Sequence, residues 1–130
     1  MICLLDVGGE GKHEIAWNLN PSPVRTLGSN RGQPIPRRIA GRAEAIPLPD
    51  NCVETIILER SPLRKSALYE LARVVTPQGT IVLRHAALPS FDPHLSARAI
   101  LPGRVTQRRI RIGGQILQET CFRLEDQNPR

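Results

Sequence analysis

The chain has 130 residues, 40% hydrophobic and only 3% aromatic, so it reads as one small domain spanning 1–130 whose core rests on Ile, Leu, Val and Ala. A formal net charge of +6 favours anionic partners: nucleic acid, a phosphorylated substrate, an acidic protein or acidic lipid headgroups. The arginines are dispersed along the sequence and almost no aromatic is present to stack bases, which argues against a dedicated single-strand nucleic-acid binder.

Ile2–Val7 (ICLLDV) reads as a first strand, buried in a parallel sheet. Gly8-Gly9-Glu10-Gly11 makes a tight turn at its carboxyl end. Lys12-His13-Glu14 then leads directly into Ile15–Leu19 and Asn20-Pro21-Ser22-Pro23, with no room for a helix of ordinary length. A parallel neighbour normally needs a longer crossover, so Ile15–Leu19 is expected to pair antiparallel. The other reading is a reduced helix over 13–19 followed by a strand at Val24–Leu27. Gly28–Arg38 (GSNRGQPIPRR) reads as a loop, and Arg37–Ala40 as a short third strand ending at Gly41.

Val53–Leu58 (VETIIL) is a β-branched run and reads as strand four. Ser61-Pro62 is expected to open a helix, with Ser as cap and Pro at the first helical position. Ala67, Leu68, Leu71, Ala72 and Val75 recur at helical spacing, and Pro77-Gln78-Gly79 stops the run. Thr80–Leu83 (TIVL) is strand five. Strand, helix and strand of this length form a right-handed parallel crossover. Asp92-Pro93 caps a second helix over 94–100, ended by Pro102-Gly103. Val105–Ile112 and Gln115–Leu124 flank Gly113-Gly114, a two-residue hairpin signal. Glu125–Arg130 is a polar tail.

Cys3, Cys52 and Cys121 are odd in number and not at metal-ligand spacing. That implies a reducing compartment, the cytoplasm, with no disulfide framework and no metal site. Cys3 and Cys121 fall in predicted strands and are expected to be small core residues. No apolar run reaches membrane-span length. The N-terminus is already a strand, which leaves no signal peptide and suggests a fragment or module of a larger protein.

GRAEAIPLPDN at 41–51, followed by an apolar strand and then ELARVVTPQGTIVL at 70–83, resembles the class I S-adenosylmethionine-dependent methyltransferases, in particular their small-molecule and lipid branch. Members typically read G-D-A-E-x-L-P-F-P-D-N-S-F-D here, then E-x-x-R-V-L-K-P-G-G-x-L. The resemblance covers about a third of the chain and is specific as a run, not in any single dipeptide. It implies an α/β, Rossmann-like methyltransferase sheet, mostly parallel with a C-terminal antiparallel hairpin, in the order 3-2-1-4-5-7-6 or a truncation of it. The chain is short for such a domain, and one helical layer is reduced.

The resemblance also implies a cofactor, S-adenosylmethionine. Asp6 would orient the glycine turn, and Gly8, Gly9 and Gly11 would line the methionine end, where no Cβ intervenes. The family spells D-x-G-x-G-x-G, and Glu10 stands where its second glycine should be. The acidic ribose ligand at the end of strand two is absent; Asn20, or Asn18, offers a neutral amide oxygen instead. The family's Asp after the strand-three glycine accepts from the adenine amine; here it is Arg42, which can only donate. Ala43 can still supply a backbone N–H, and Glu44 matches as a structural loop residue. Glu59 and His85 fall at the carboxyl edge, where the family places substrate-facing residues. Glu59 is the candidate general base or carboxylate ligand, or else an exposed loop charge paired with Arg60 or Arg64. His85 is the candidate histidine facing a cleft, or else a hydrogen-bonded structural residue. His13 and His94 carry no such positional argument.

Two functions follow from these residues. One is methyl transfer by direct in-line attack, which needs positioning and a nearby base. The other is a non-catalytic module that keeps the scaffold and acts with a protein partner. A third, a small domain acting on nucleic acid, rests on charge alone. Loss of a helical layer would leave apolar sheet surface bare near Trp17, so a homodimer or a protein partner is expected to cover it.

Overall fold

The computed structural model describes residues 1–125; the polar tail beyond Glu125 lies outside them. In chain order the elements are β1 (Ile2–Val7), β2 (Trp17–Leu19), β3 (Arg38–Ile39), β4 (Val53–Glu59), α1 (Lys65–Val74), β5 (Val75–Ala86), α2 (Leu95–Ile100), β6 (Arg104–Ile112) and β7 (Gln115–Arg123). One sheet runs β3-β2-β1-β4-β5-β7-β6, the order the sequence implied. β1 pairs parallel with β4, setting Leu5 beside Ile56 and Val7 beside Leu58. β4 and β5 are parallel, and β7 returns antiparallel to β5.

The register explains the core. Leu5, Val7, Ile56, Leu58, Ile81, Leu83 and Phe122 fall on one face and are all but sealed from solvent. Leu68, Leu71 and Val74 from α1 and Ala97 from α2 close over that face. Strands alternate faces with period two, so one register error would expose this whole set.

Three expectations need correction. β2 pairs parallel with β1, not antiparallel, and forms neither a helix at 13–19 nor a strand at Val24–Leu27. The pairing starts at Leu5↔Trp17, so the link need only return from Val7 to the level of Leu5, about 7 Å at strand rise. The residues between Val7 and Trp17 span that without a helix. Second, Ser61-Pro62 does not open α1. The helix starts at Lys65 behind Arg64, with no side-chain cap, because Arg60 takes a left-handed backbone (φ 58°) that turns the chain first. Val75, expected on the helix, is extended (ψ 144°) and opens β5, so the helix ends at Val74, ahead of Pro77. Third, Cys3 is exposed rather than a core residue, and Cys121 is half-buried.

The other sheet face carries no helix in the described residues. It is apolar only in part: Ile57 and Val82 lie side by side there, and a charge row follows at the carboxyl ends of β4 and β5. Glu59, Arg84, Glu119 and Arg108 lie side by side across β4, β5, β7 and β6. Arg84 donates to Glu59 at 3.3 Å and to Glu119 at 2.9 Å, and Arg108 donates to Glu119 at 2.6 Å. A charge row with its hydrogen bonds made needs no apolar cover.

Candidate functional site

The carboxyl ends of β1, β2, β3 and β4 meet at the Gly8-Gly9-Glu10-Gly11 turn. Gly8 has φ +80°, a backbone that favours glycine, and a Cβ there would lie 2.5 Å from Ser61 Oγ. It would fill the gap between the turn and the loop after β4. A Cβ on Gly9 would strike Asn18 Oδ1 and the Asp6 carboxyl, and one on Gly11 would strike the Pro36 ring at 2.9 Å. At all three glycines protein packs where a Cβ would stand, Ser61 doing so at Gly8.

Two clefts adjoin at Gly8. The first, about 360 Å³, is lined by Asp6, Gly8, Gly9, Glu10, Lys12, Arg25, Glu59 and Arg60, with Leu27–Asn30 at its rim. The second, about 270 Å³, is lined by Val7, Gly8, Leu19, Gly41, Arg42, Ala43, Ser61 and Pro62. Ala43 and Arg42 therefore stand where the sequence put them, at the exit of β3, and both border the cavity.

Asp6 is buried (5% exposed) on the first cleft. Burial pushes its carboxyl up to about 6; the nearby His13 pulls down and Glu59 pushes up again. Close by, Arg25 Nε is buried without a hydrogen-bond partner among the described residues. A carboxyl and an unspent guanidinium N–H in one cleft suit a ligand with an ammonium and a carboxylate.

Glu59 is not the exposed loop charge of the plainer reading. Its side chain is 8% exposed and meets Lys12 Nζ at 2.9 Å, His13 Nε2 and Arg84, not Arg60 or Arg64. Burial pushes its pKa up, but hydrogen bonds from His13 and Lys12 outweigh burial and hold it near 2. A carboxylate so stabilised as an anion has little affinity for a proton. His85 is also tied down. The Ser61 carbonyl can only accept, so His85 donates from Nε2 at 2.7 Å. Its Nδ1 then accepts from His94 Nε2 at 2.9 Å, and His94 Nδ1 accepts from the Thr120 hydroxyl at 2.6 Å. Both ring nitrogens of His85 are thereby engaged within the protein.

Asn20 does not present its amide to the cleft. Its Nδ2 donates to the Gly8 and Gly9 carbonyls and its Oδ1 accepts from Ser22 N, so it fastens the glycine turn. Asn18 likewise holds Pro36 O and Gly11 N. Sequence reasoning missed three residues. Glu10, which breaks the glycine pattern, accepts from Thr26 N, Thr26 Oγ1 and Leu27 N, and so anchors the long 20–37 connection over the first cleft. His94, wholly buried, completes the histidine chain. Arg73 donates to Ile46 O, Leu48 O, Asp50 and Glu70, while Glu70 accepts from Ile46 N at 2.7 Å. The signal for the last was present: the E-x-x-R of Glu70 and Arg73 sits one turn apart on α1 and clamps the A-I-P-L-P-D loop.

No family model matches the chain, and no curated protein matches it. Solved structures do. A SAM-dependent methyltransferase from Aquifex aeolicus superposes with a TM-score of 0.60 at 16% identity, over 95% of this chain and 82% of that one. The antibiotic-resistance methyltransferase Kmr gives 0.62 at 14%, over 95% and 87%. A 16S rRNA (adenine(1408)-N(1))-methyltransferase from Catenulisporales acidiphilia, solved with cosubstrate SAM, gives 0.61 at 15%, over 98% and 87%. Fold and cleft position together define an open α/β sheet protein with its candidate site at the strands' carboxyl edge. The fold is that of the class I S-adenosylmethionine-dependent methyltransferases, with the helices of one layer missing from the described residues.

Proposed function

We propose that the chain binds S-adenosylmethionine across the two clefts at Gly8 and serves as a methyltransferase-type domain. The observation that carries this is the pairing of the clefts: one offers Asp6 and the unspent Arg25 Nε to a zwitterionic end, the other the backbone around Ala43 to a neutral ring. When bound, the cofactor supplies an electrophilic methyl carbon on a sulfonium. Gly8 borders both clefts, and Ala43 offers a backbone N–H. Glu59 is ionised and His85 is committed to Ser61, so neither stands ready to take a proton. Methyl transfer here rests on positioning, toward an acceptor that needs no strong base. The acceptor is of unassigned chemistry. Three free cysteines fit a cytoplasmic setting.

A second reading, a non-catalytic module that keeps the scaffold and works with a protein partner or as a homodimer, is favoured by two residues. Asn20 spends its amide on the glycine turn, and Arg42 stands where the family has an acceptor. Calorimetric titration of S-adenosylmethionine and its demethylated product into the native chain and Arg42→Asp separates these. Weak native binding that tightens in Arg42→Asp is expected. Low-micromolar native binding that weakens in Arg42→Asp would overturn the impaired-site reading in favour of a plain enzyme. Binding by neither would leave the module.

A further inference from the structure

We propose that the outer edge of β6 is a docking site for an extended, acidic segment of a partner protein, which adds to the sheet as a further strand. β3 and β6 are the two edges of the sheet. β3 is two residues long and sits just after Pro36, so it offers little to pair with. β6 runs nine residues, longer than the usual length of about 5–6. It holds no proline or glycine, keeps an unbroken register with β7 from Arg104 to Ile112, and is rich in β-branched residues. Every position except Ile110 and Ile112 is exposed. Short length, proline, a bulge or a covering element are the common ways to close an edge, and among the described residues β6 has none of them. The turn fixes which backbone groups are free. Gly113 and Gly114 have φ of 55° and 81°, the turn type that joins Ile112 to Gln115 by its own hydrogen bond. Hydrogen-bonded and non-hydrogen-bonded pairs alternate from there. Arg104, Thr106, Arg108, Ile110 and Ile112 spend their N–H and C=O groups on β7. Val105, Gln107, Arg109 and Arg111 point theirs outward, and among the described residues no backbone hydrogen bond outside the sheet reaches them.

The side chains set the chemistry of the occupant. β6 carries Arg104, Arg108, Arg109 and Arg111 and no acid. Arg104 and Arg108 share one face of the sheet and are held there by Glu125 and Glu119. Arg109 and Arg111 lie on the other face, exposed and about 7 Å apart at strand rise. Among the described residues no carboxylate pairs with either. Ile110 and Ile112 alternate with them and are half-buried on the first face. An added strand alternates its own side chains in the same way. The one that matches carries acids opposite Arg109 and Arg111 and apolar residues beside Ile110 and Ile112. A second copy of this chain does not match, because β6 against β6 sets four arginines against four with no acid between them. Charge of one sign on an edge deters like strands. The same charge selects an acidic one, while the outward backbone groups supply the attachment.

The test titrates the chain, without cofactor, with a labelled synthetic peptide of alternating Glu and Val and with its Lys and Val counterpart. It reads fluorescence anisotropy and amide hydrogen exchange. With the Glu peptide bound, exchange is expected to slow at Gln107, Arg109 and Arg111 and to stay unchanged at Thr106, Arg108 and Ile110, whose N–H groups already bond β7. Arg109→Gln/Arg111→Gln removes charges that hold no ion pair and should weaken the Glu peptide by roughly three- to tenfold. Arg109→Glu/Arg111→Glu should turn the preference to the Lys peptide. Gln107→Pro removes an outward N–H that β7 does not use, and should abolish binding of the Glu peptide with the sheet intact. If Gln107→Pro does not fold, the alternating exchange pattern in the native chain decides. No binding of the Glu peptide at low salt, equal binding of the Lys peptide, or native affinity in a folded Gln107→Pro would overturn the proposal. So would uniform slowing of exchange along β6, which is attraction by charge without strand addition. Protection of the same alternate amides at high protein concentration with no peptide present would overturn it in favour of a second copy. β6 lines neither cleft at Gly8. A chain that takes the Glu peptide but not S-adenosylmethionine therefore keeps this inference and loses the other.

Discussion

His94 shows how much a residue's role depends on its surroundings. Burial, reinforced by the adjacent His85, pushes its pKa down to about 4. Between the ordinary value of 6.5 and 4, the unfolded chain takes a proton that the folded chain refuses. Its contribution to stability is therefore complete above pH 6.5 and is lost as pH falls toward 4. Asp6 acts in the opposite sense. Its carboxyl is raised from 3.8 to about 6, so its contribution is complete at low pH and is lost as pH rises through 6. The two oppose each other over the same acid range. Asp6→Asn removes only the second, so urea midpoints at pH 7 and 4.5 should diverge more in that variant than in the native chain; equal divergence would discredit the assignment. Thr120→Val leaves His94 Nδ1 buried without a donor and is expected to cost about 1–3 kcal/mol at neutral pH.

At the scale of elements, the strong signals in the sequence were those with a strict period or a fixed turn chemistry. β4, α1 and the Gly113-Gly114 hairpin were legible because a β-branched run, helical spacing and left-handed glycines each have a local physical meaning, while the strand order came from the resemblance. The direction of β2 was not, because it depends on how far a three-residue strand must be followed back, and no local pattern encodes that distance. The charge row was illegible for the same reason: Glu59, Arg84, Arg108 and Glu119 are far apart in sequence and meet only through register. Arg84 is its hinge, serving two nearly buried carboxylates. Arg84→Met should destabilise by about 3–5 kcal/mol, since breaking such a row leaves charge uncompensated. A chemical-denaturation loss well under 1 kcal/mol would mean that Lys12, His13 and Arg108 satisfy the two acids without it.

Over the whole molecule, the described residues form a methyltransferase sheet that keeps its helices on one face and replaces those of the other with loops and a charge row. Glu10, Asn18 and Asn20 hold the loops in place of helix packing. The sequence placed Gly8, Asp6, Arg42 and Ala43 at the sheet's carboxyl edge, where they border the clefts, but the partners of the other candidates were not legible. Asn20, Glu59 and His85 turned out to bond to protein, and a side chain's partners are set by neighbours that sequence order does not reveal. The central claim, a cofactor site at Gly8, is tested most directly by amide NMR during titration with S-adenosylmethionine. The account predicts saturable shifts at Gly8, Ala43 and Ser61, with the hairpin amides 104–123 unmoved. No shift at those three positions up to millimolar cofactor, or shifts confined to the hairpin, would contradict it.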